Sequence, residues 1–191
     1  MSLLQEIIIH IDNLRQEAGV WAQGRPWLWR LVLLFWFAWI LIRHLADPMY
    51  SSILGNLNLG VHELGHLLFM PFGRFLCTLG GTLLQCSLPL FGIYNFYREG
   101  DYFAILLCFG WLSDNLFDVA RYVADARALE LPLVNLFGGS VEHDWNVLLG
   151  SMGILQFDTT IAFLIKCAAV LLMLLCLGLG GWLLRQMNKK P

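Results

Sequence analysis

Residues 56–72 read NLNLGVHELGHLLFMPF and place an H-E-x-x-H motif, His62 to His66, inside an apolar run. On a helix, positions i and i+4 project from the same face, so His62 and His66 can offer imidazole nitrogens to one Zn²⁺ ion. Glu63 then lies one residue step away, where it can hold a metal-bound water molecule without being a ligand itself. Because ionisable side chains are costly inside an apolar helix, the motif favours a functional metal site over a pair of merely hydrogen-bonded histidines.

The composition of the chain is that of a membrane protein. Of its 191 residues, 58% are hydrophobic and 14% are charged, and the mean hydropathy is +0.65. Soluble proteins carry about 25% charged residues. We therefore predict an all-α fold, a polytopic transmembrane bundle with about four to six membrane segments, in an integral multi-pass protein of a bacterial inner membrane or an organelle membrane. Membrane lipid would surround it. A formal net charge of −2 without a long basic run argues against a nucleic-acid partner.

Hydrophobic periodicity divides the chain into two parts. Residues 1–26 carry apolar side chains at the spacing of an amphipathic helix, which predicts an N-terminal helix on the membrane surface or against the bundle. Residues 27–191 are predicted to form a single transmembrane domain that contains the motif. Within this domain, the apolar runs at residues 27–45, 51–72 and 161–184 are long enough to cross a membrane.

The apolar run at residues 75–96 is interrupted by small and helix-breaking residues. Gly80, Gly81 and Pro89 fall inside it, a pattern typical of a broken or re-entrant segment. Two adjacent glycines near a metal site could let a substrate strand approach the backbone, so Gly80 and Gly81 are candidates for substrate binding. Close packing of two helices through small residues is an alternative of at least equal weight.

Four charged residues form one polar stripe on the helix predicted at residues 101–128. Asp114, Asp118, Arg121 and Asp125 fall within about 60° of one another on a helix that turns 100° per residue. Such a stripe has to face protein or water, and Arg121 can pair with Asp118 and Asp125. The stripe is either an internal ion-pair ladder, or one of its aspartates binds the metal or orients a histidine that does.

A third metal ligand has to come from outside the motif, because catalytic zinc usually takes three protein ligands and leaves one position to water. A predicted loop at residues 130–140 delivers His143 and Asp144 to the start of a short apolar run. An aspartate just before a helix is also a good N-cap. We therefore slightly favour His143 as the ligand, with Asp144 capping the helix or holding the histidine. Asp144 itself and the aspartates of the stripe are the alternatives.

The motif and its setting resemble the site-2-protease-like intramembrane zinc metalloproteases, polytopic enzymes with H-E-x-x-H in a membrane helix. The resemblance rests on the HELGH sequence at residues 62–66, its apolar surroundings and the glycine pair at residues 80–81. The L-D-G context of that family's later aspartate ligand is not found, and Asp144 is its nearest positional counterpart. The resemblance implies Zn²⁺ as the cofactor, Glu63 as the catalytic base and hydrolysis of peptide bonds in membrane-embedded protein substrates.

Two other classes of function are open at this point. A zinc hydrolase that acts on a lipid or a small amphiphile is compatible with the missing aspartate motif. A metal-binding transport or structural protein is compatible with a polar stripe inside the membrane. A three-ligand site that opens on a cleft would favour an enzyme, whereas a closed four-ligand site would favour a structural metal.

Overall fold

The computed structural model describes residues 2–133 and 142–189, and these residues are almost entirely helical. They contain no strand, which confirms the all-α prediction for the part of the chain described. The predicted loop at residues 130–140 lies mostly outside the described residues. The α-helices are α1 (Leu3–Ala22), α2 (Leu28–Ala46), α3 (Gly55–Phe69), α4 (Arg74–Glu99), α5 (Tyr102–Ala124), α6 (Asp144–Ser151) and α7 (Asp158–Met187). Short 3-10 turns at Met70–Phe72 and Leu155–Phe157 follow α3 and precede α7.

Four of the helices are long and apolar enough to cross a membrane. They are α2, α4, α5 and the continuous stretch Leu155–Met187 that contains α7. About 20 residues of helix are needed to cross a hydrocarbon core of ~30 Å, and these helices have between 19 and 33 residues. The described part of the chain therefore has four candidate spans, which is the lower limit of the predicted range.

The helix that carries the motif is shorter than predicted. Residues 51–72 are predicted to cross the membrane, but α3 has 15 residues, a length of about 22 Å. Its α-helical part ends because Pro71 follows in a 3-10 turn and Gly73 adopts a φ of 90°, a conformation that L side chains rarely adopt. α3 is therefore not one of the four candidate spans, and it packs on α4 and α5 instead.

The segment predicted to be broken is one continuous helix. α4 passes through Gly80, Gly81 and Pro89 without interruption, and all three residues are buried. Packing of this face against its neighbours α3 and α5 outweighs the low helix propensity of glycine and the hydrogen bond that proline cannot donate. The prediction of a broken or re-entrant segment at residues 75–96 is wrong.

α5 lies at the centre of the bundle. In its apolar stretch 61% of the residues are buried, against 33% or less in each of the other three candidate spans. Two glycines allow close contacts in the core around it: a Cβ on Gly110 would lie 2.6 Å from the ring of Phe37, and a Cβ on Gly180 would lie 2.7 Å from Leu34. α2, α5 and α7 thus form the main apolar core, and the opposite face of α5 is left for α3 and α4.

The helix predicted at residues 1–26 is present as α1, which Ser2 caps through its hydroxyl in a capping box with Gln5. Its N-terminal half is exposed, whereas Ala18 and Ala22 near its end are buried. The Tyr102 hydroxyl donates a hydrogen bond to the carboxylate of Glu17 at 2.9 Å. α1 is therefore attached to the bundle through its C-terminal half.

The start of α3 is fixed to α5 by buried polar side chains. Asp114 is fully buried, and its carboxylate accepts hydrogen bonds from the Ser52 hydroxyl at 2.8 Å and the Asn58 amide at 3.2 Å. Nε2 of His44 lies 3.0 Å from the other oxygen of the same carboxylate. Since a buried carboxylate is costly without such partners, this cluster sets the position of α3 and therefore of the motif.

Candidate metal centre

The two histidines of the motif lie on one face of α3, and Asp144 joins them from the start of α6. Oδ2 of Asp144 lies 2.9 Å from Nε2 of His62 and 3.2 Å from Nε2 of His66. In the described part of the chain these three residues form a group whose ligand atoms all lie within 4.8 Å of one another. On tetrahedral zinc with bonds of about 2.0–2.1 Å, two ligand atoms lie about 3.3 Å apart. The two imidazoles and the carboxylate therefore fit zinc in both chemistry and spacing.

The second ring nitrogen of each histidine faces an oxygen atom. Nδ1 of His62 lies 2.7 Å from Oε1 of Gln85, and Nδ1 of His66 lies 2.8 Å from the carbonyl oxygen of Cys77. Because both oxygens can only accept, each Nδ1 has to carry a hydrogen, which leaves Nε2, on the side of Asp144, as the nitrogen that a metal would bind. Metal-binding histidines are generally held in this way, with the outer nitrogen donating to an oxygen.

His66 and Asp144 form an ion pair, and His62 joins them through a hydrogen bond to the same carboxylate. The hydrogen bond to Asp144 raises the pKa of His66 to about 9, although burial opposes the change. Burial of Asp144 would raise its pKa, but the hydrogen bonds with His62 and His66 hold it below its usual value. A cation that binds here therefore has to displace a proton from His66.

His143 lies outside this group, although the sequence slightly favours it as the ligand. It is the N-cap of α6, where its Nδ1 accepts a hydrogen bond from the backbone N–H of Asn146 at 3.3 Å. Its Nε2 lies 3.3 Å from Oδ2 of Asp125, and the side chain is buried. The two neighbours have thus exchanged their expected roles: His143 caps the helix, and Asp144 stands with the histidines of the motif.

The polar stripe of α5 takes part in several separate interactions. Arg121 pairs with Asp118 at 3.0 Å, as predicted, and also donates to the carbonyl oxygen of Tyr50 at 2.8 Å. Asp125, at the end of the helix, accepts hydrogen bonds from backbone N–H groups of the following loop rather than from Arg121. Asp114 holds the start of α3. The group of His62, His66 and Asp144 contains no stripe residue, although Asp118 and Arg121 line the cavity beside it.

The ligand group opens on a cavity of about 890 Å³ between α3, α4 and α5. His62, His66 and Asp144 line this cavity, and so does Glu63, whose side chain is largely buried. A catalytic metal needs such an open side, whereas a structural zinc ion is enclosed by four protein ligands. Glu63 is thus placed to hold water beside the metal-binding group without being a ligand itself.

Gly80 and Gly81 lie in the contact between α3 and α4, against their predicted role in substrate binding. A Cβ on Gly65 would lie 2.3 Å from the carbonyl oxygen of Gly80, and a Cβ on Gly81 would lie 2.6 Å from Nε2 of His62. The glycines therefore let the two backbones approach and make room for the His62 ring. This is the close-packing alternative, and the arrangement leaves no space for a substrate strand between the glycines and α3.

Three positioning residues are absent from the sequence-based prediction. Gln85 and Cys77 hold the two histidines, and the Tyr122 hydroxyl accepts a hydrogen bond from the backbone N–H of Asp144 at 3.1 Å. Gln85 could have been found, because it is an amide in an apolar run and buried amides need partners. Cys77 acts through its backbone carbonyl, so its residue type carried no signal.

Comparisons of the chain with protein-family models, with curated proteins and with solved structures gave no match.

Proposed function

We propose that the protein is a zinc-dependent hydrolase that cleaves peptide bonds of membrane-embedded protein substrates. The observation that carries the proposal is the convergence of His62, His66 and Asp144 beside Glu63 on the wall of an open cavity. Two imidazoles, one carboxylate and an open side are the ligand set of hydrolytic zinc sites. The open cavity supports an enzyme over a structural metal site.

The location of the site supports a substrate within the membrane. Two walls of the cavity, α4 and α5, are helices long and apolar enough to cross a bilayer. In this proposal the four apolar helices span the membrane and are surrounded by lipid, and the shorter α3 presents the motif at membrane depth. A substrate segment would enter from the lipid phase or from one membrane surface and lie in the cavity.

The cavity wall favours a peptide over a lipid tail. Amide and hydroxyl side chains line it at Asn56, Thr78 and Thr82. An unwound peptide in a low-dielectric site has free N–H and C=O groups that need such partners. An acyl chain has none, so this lining supports peptide hydrolysis over the lipid alternative.

The chemistry follows from the positions of the side chains. A Zn²⁺ ion bound by His62, His66 and Asp144 would lower the pKa of water towards neutrality and polarise the scissile carbonyl. Glu63 takes the proton of the attacking water and returns it to the leaving amine nitrogen. Gln85 and Cys77 keep both imidazoles in the tautomer that leaves Nε2 free.

The test compares zinc-loaded wild-type protein in detergent micelles with Glu63→Gln, using fluorescein-labelled casein and a synthetic transmembrane peptide as probes. We expect Glu63→Gln to bind as much zinc as wild type and to lose cleavage by at least about 100-fold, the typical contribution of a general base. Glu99→Gln, at the exposed end of α4, is the matched control and should cleave normally. Cleavage by Glu63→Gln at the wild-type rate, or no cleavage of either probe by wild type, would contradict the proposal.

A further inference from the structure

Tyr122 lies at the candidate metal centre on α5, where it lines the cavity with His62, Glu63 and Asp144. Its ring centroid is 6.1 Å from that of His62. Its hydroxyl oxygen accepts a hydrogen bond from the backbone N–H of Asp144 at 3.1 Å. The hydroxyl is thus on the side of the cavity where the metal ligands and the proposed base meet.

The position of Tyr122 is fixed by buried groups. Its ring packs on the ring of His143, with centroids 4.2 Å apart and an angle of 41° between the planes. His143 is 4% exposed, caps α6 and lies beside Asp125. A side chain held in this way presents its hydroxyl at a set place, as preorganised catalysis requires.

The hydroxyl has one hydrogen to donate after it accepts from Asp144. A tyrosine hydroxyl carries one hydrogen and two lone pairs, and the backbone N–H of Asp144 uses one lone pair. The nearby Asp144 carboxylate is the natural acceptor in the metal-free protein. A cation bound to Asp144 would neutralise the charge of the carboxylate and weaken it as an acceptor, so that the hydrogen can point to another oxygen in the cavity.

We propose that the Tyr122 hydroxyl donates a hydrogen bond to the carbonyl oxygen of the substrate as that oxygen becomes negatively charged. This inference rests on the proposed function and adds a catalytic residue to it. In the attacking step, a C–O bond forms between water and the carbonyl carbon, the π electrons move to the carbonyl oxygen, and Glu63 receives the proton. Tyr122 stabilises the charge on that oxygen without itself losing its proton.

The test is Tyr122→Phe, which removes the hydroxyl and keeps the ring against His143. At saturating zinc we expect kcat for labelled casein to fall about 100- to 1000-fold while KM changes by less than about threefold. A second readout does not depend on turnover: a phosphinic tripeptide, whose tetrahedral P–O⁻ group imitates the oxyanion, should bind about 10- to 100-fold more weakly to the variant. Tyr94→Phe, exposed on α4, loses the same hydroxyl away from the cavity and serves as the control.

Two results would overturn the assignment of Tyr122. One is a kcat and a phosphinic-peptide affinity within about threefold of wild type at saturating zinc. The other is a loss of kcat and of phosphinic-peptide affinity that is seen at limiting zinc and disappears at saturating zinc. Tyr122 would then act only by positioning Asp144. If Glu63→Gln is inactive while Tyr122→Phe is fully active, the proposed function stands and this inference alone fails. Failure of wild type to cleave casein and to bind the phosphinic peptide would overturn both.

Discussion

Oε1 of Gln85 lies 2.7 Å from Nδ1 of His62, so α3, which carries the motif, and α4 are joined at the ring that would bind the metal. Replacing Gln85 by leucine removes the acceptor and leaves the Nδ1 hydrogen without a partner. We expect zinc affinity to fall about 10- to 100-fold, the usual effect of losing such a partner, as measured by competition with a fluorescent chelator. Asn95→Leu, on the same helix and outside the cavity wall, should bind zinc normally. Equal affinity of both variants would exclude an orienting role for Gln85.

His143 and Asp144 are adjacent in the chain but have different roles. His143 caps α6, and Asp144 belongs to the candidate ligand group. Asp144→Ala removes one of three ligands and should abolish stoichiometric zinc binding, whereas His143→Ala removes a helix cap. We expect His143→Ala to retain one zinc ion per chain and to lower stability by about 1 kcal/mol. Metal analysis of the purified variants and their thermal unfolding separate the two roles. Zinc loss in His143→Ala with full occupancy in Asp144→Ala would reverse the assignment.

The glycines of the α3–α4 contact should tolerate no side chain. Gly65→Ala places a Cβ 2.3 Å from the carbonyl oxygen of Gly80, so the helices have to separate. We expect a loss of stability of about 1–3 kcal/mol, typical of overpacking. Gly60→Ala is the matched control on the same helix, because nothing lies within 4 Å of its Cβ position; it should be neutral or stabilise slightly. The measurement is thermal unfolding followed by circular dichroism, and equal behaviour of both variants would argue against the close contact.

Asp114 should matter for folding rather than for metal binding. Asp114→Ala leaves His44, Ser52 and Asn58 without their common acceptor in the protein interior. We expect a loss of about 3 kcal/mol or more, because several buried polar groups lose a partner at once. Asp12→Ala, exposed on α1, should have no effect.

Zinc content provides the second measurement on Asp114→Ala. At a temperature where the variant is still folded, it should bind one zinc ion per chain, because Asp114 does not belong to the ligand group. Normal stability combined with loss of zinc would instead make Asp114 part of the metal centre.

Much of the fold could be predicted from the sequence because hydrophobic periodicity reports helices directly. The amphipathic pattern predicted α1, and long apolar runs predicted two of the candidate spans, α2 and α7. The error at residues 75–96 has a tertiary cause. Gly80, Gly81 and Pro89 disfavour a helix in isolation, yet their burial against α3 and α5 keeps α4 continuous, and such a contact is not visible in local sequence.

The candidate site could be predicted in part for a similar reason. Residues i and i+4 on a helix share a face whatever the tertiary structure, so His62 and His66 were placed together correctly by spacing alone. The choice between His143 and Asp144 depended on the direction from which the chain enters α6, and adjacent residues near a helix start point about 100° apart. Sequence spacing cannot fix that direction, whereas the structure does so through the cap at His143 and the Tyr122 hydroxyl.

Asp144 and His62 are separated by 82 positions in the chain. An ion bound to both would close that long loop as a cross-link does, and closing a long loop removes conformational freedom from the unfolded chain. Removal of the ion by a chelator should therefore lower the thermal unfolding temperature as well as stop turnover. Metal supply would then govern how long each molecule survives in the bilayer, and not merely whether it is active.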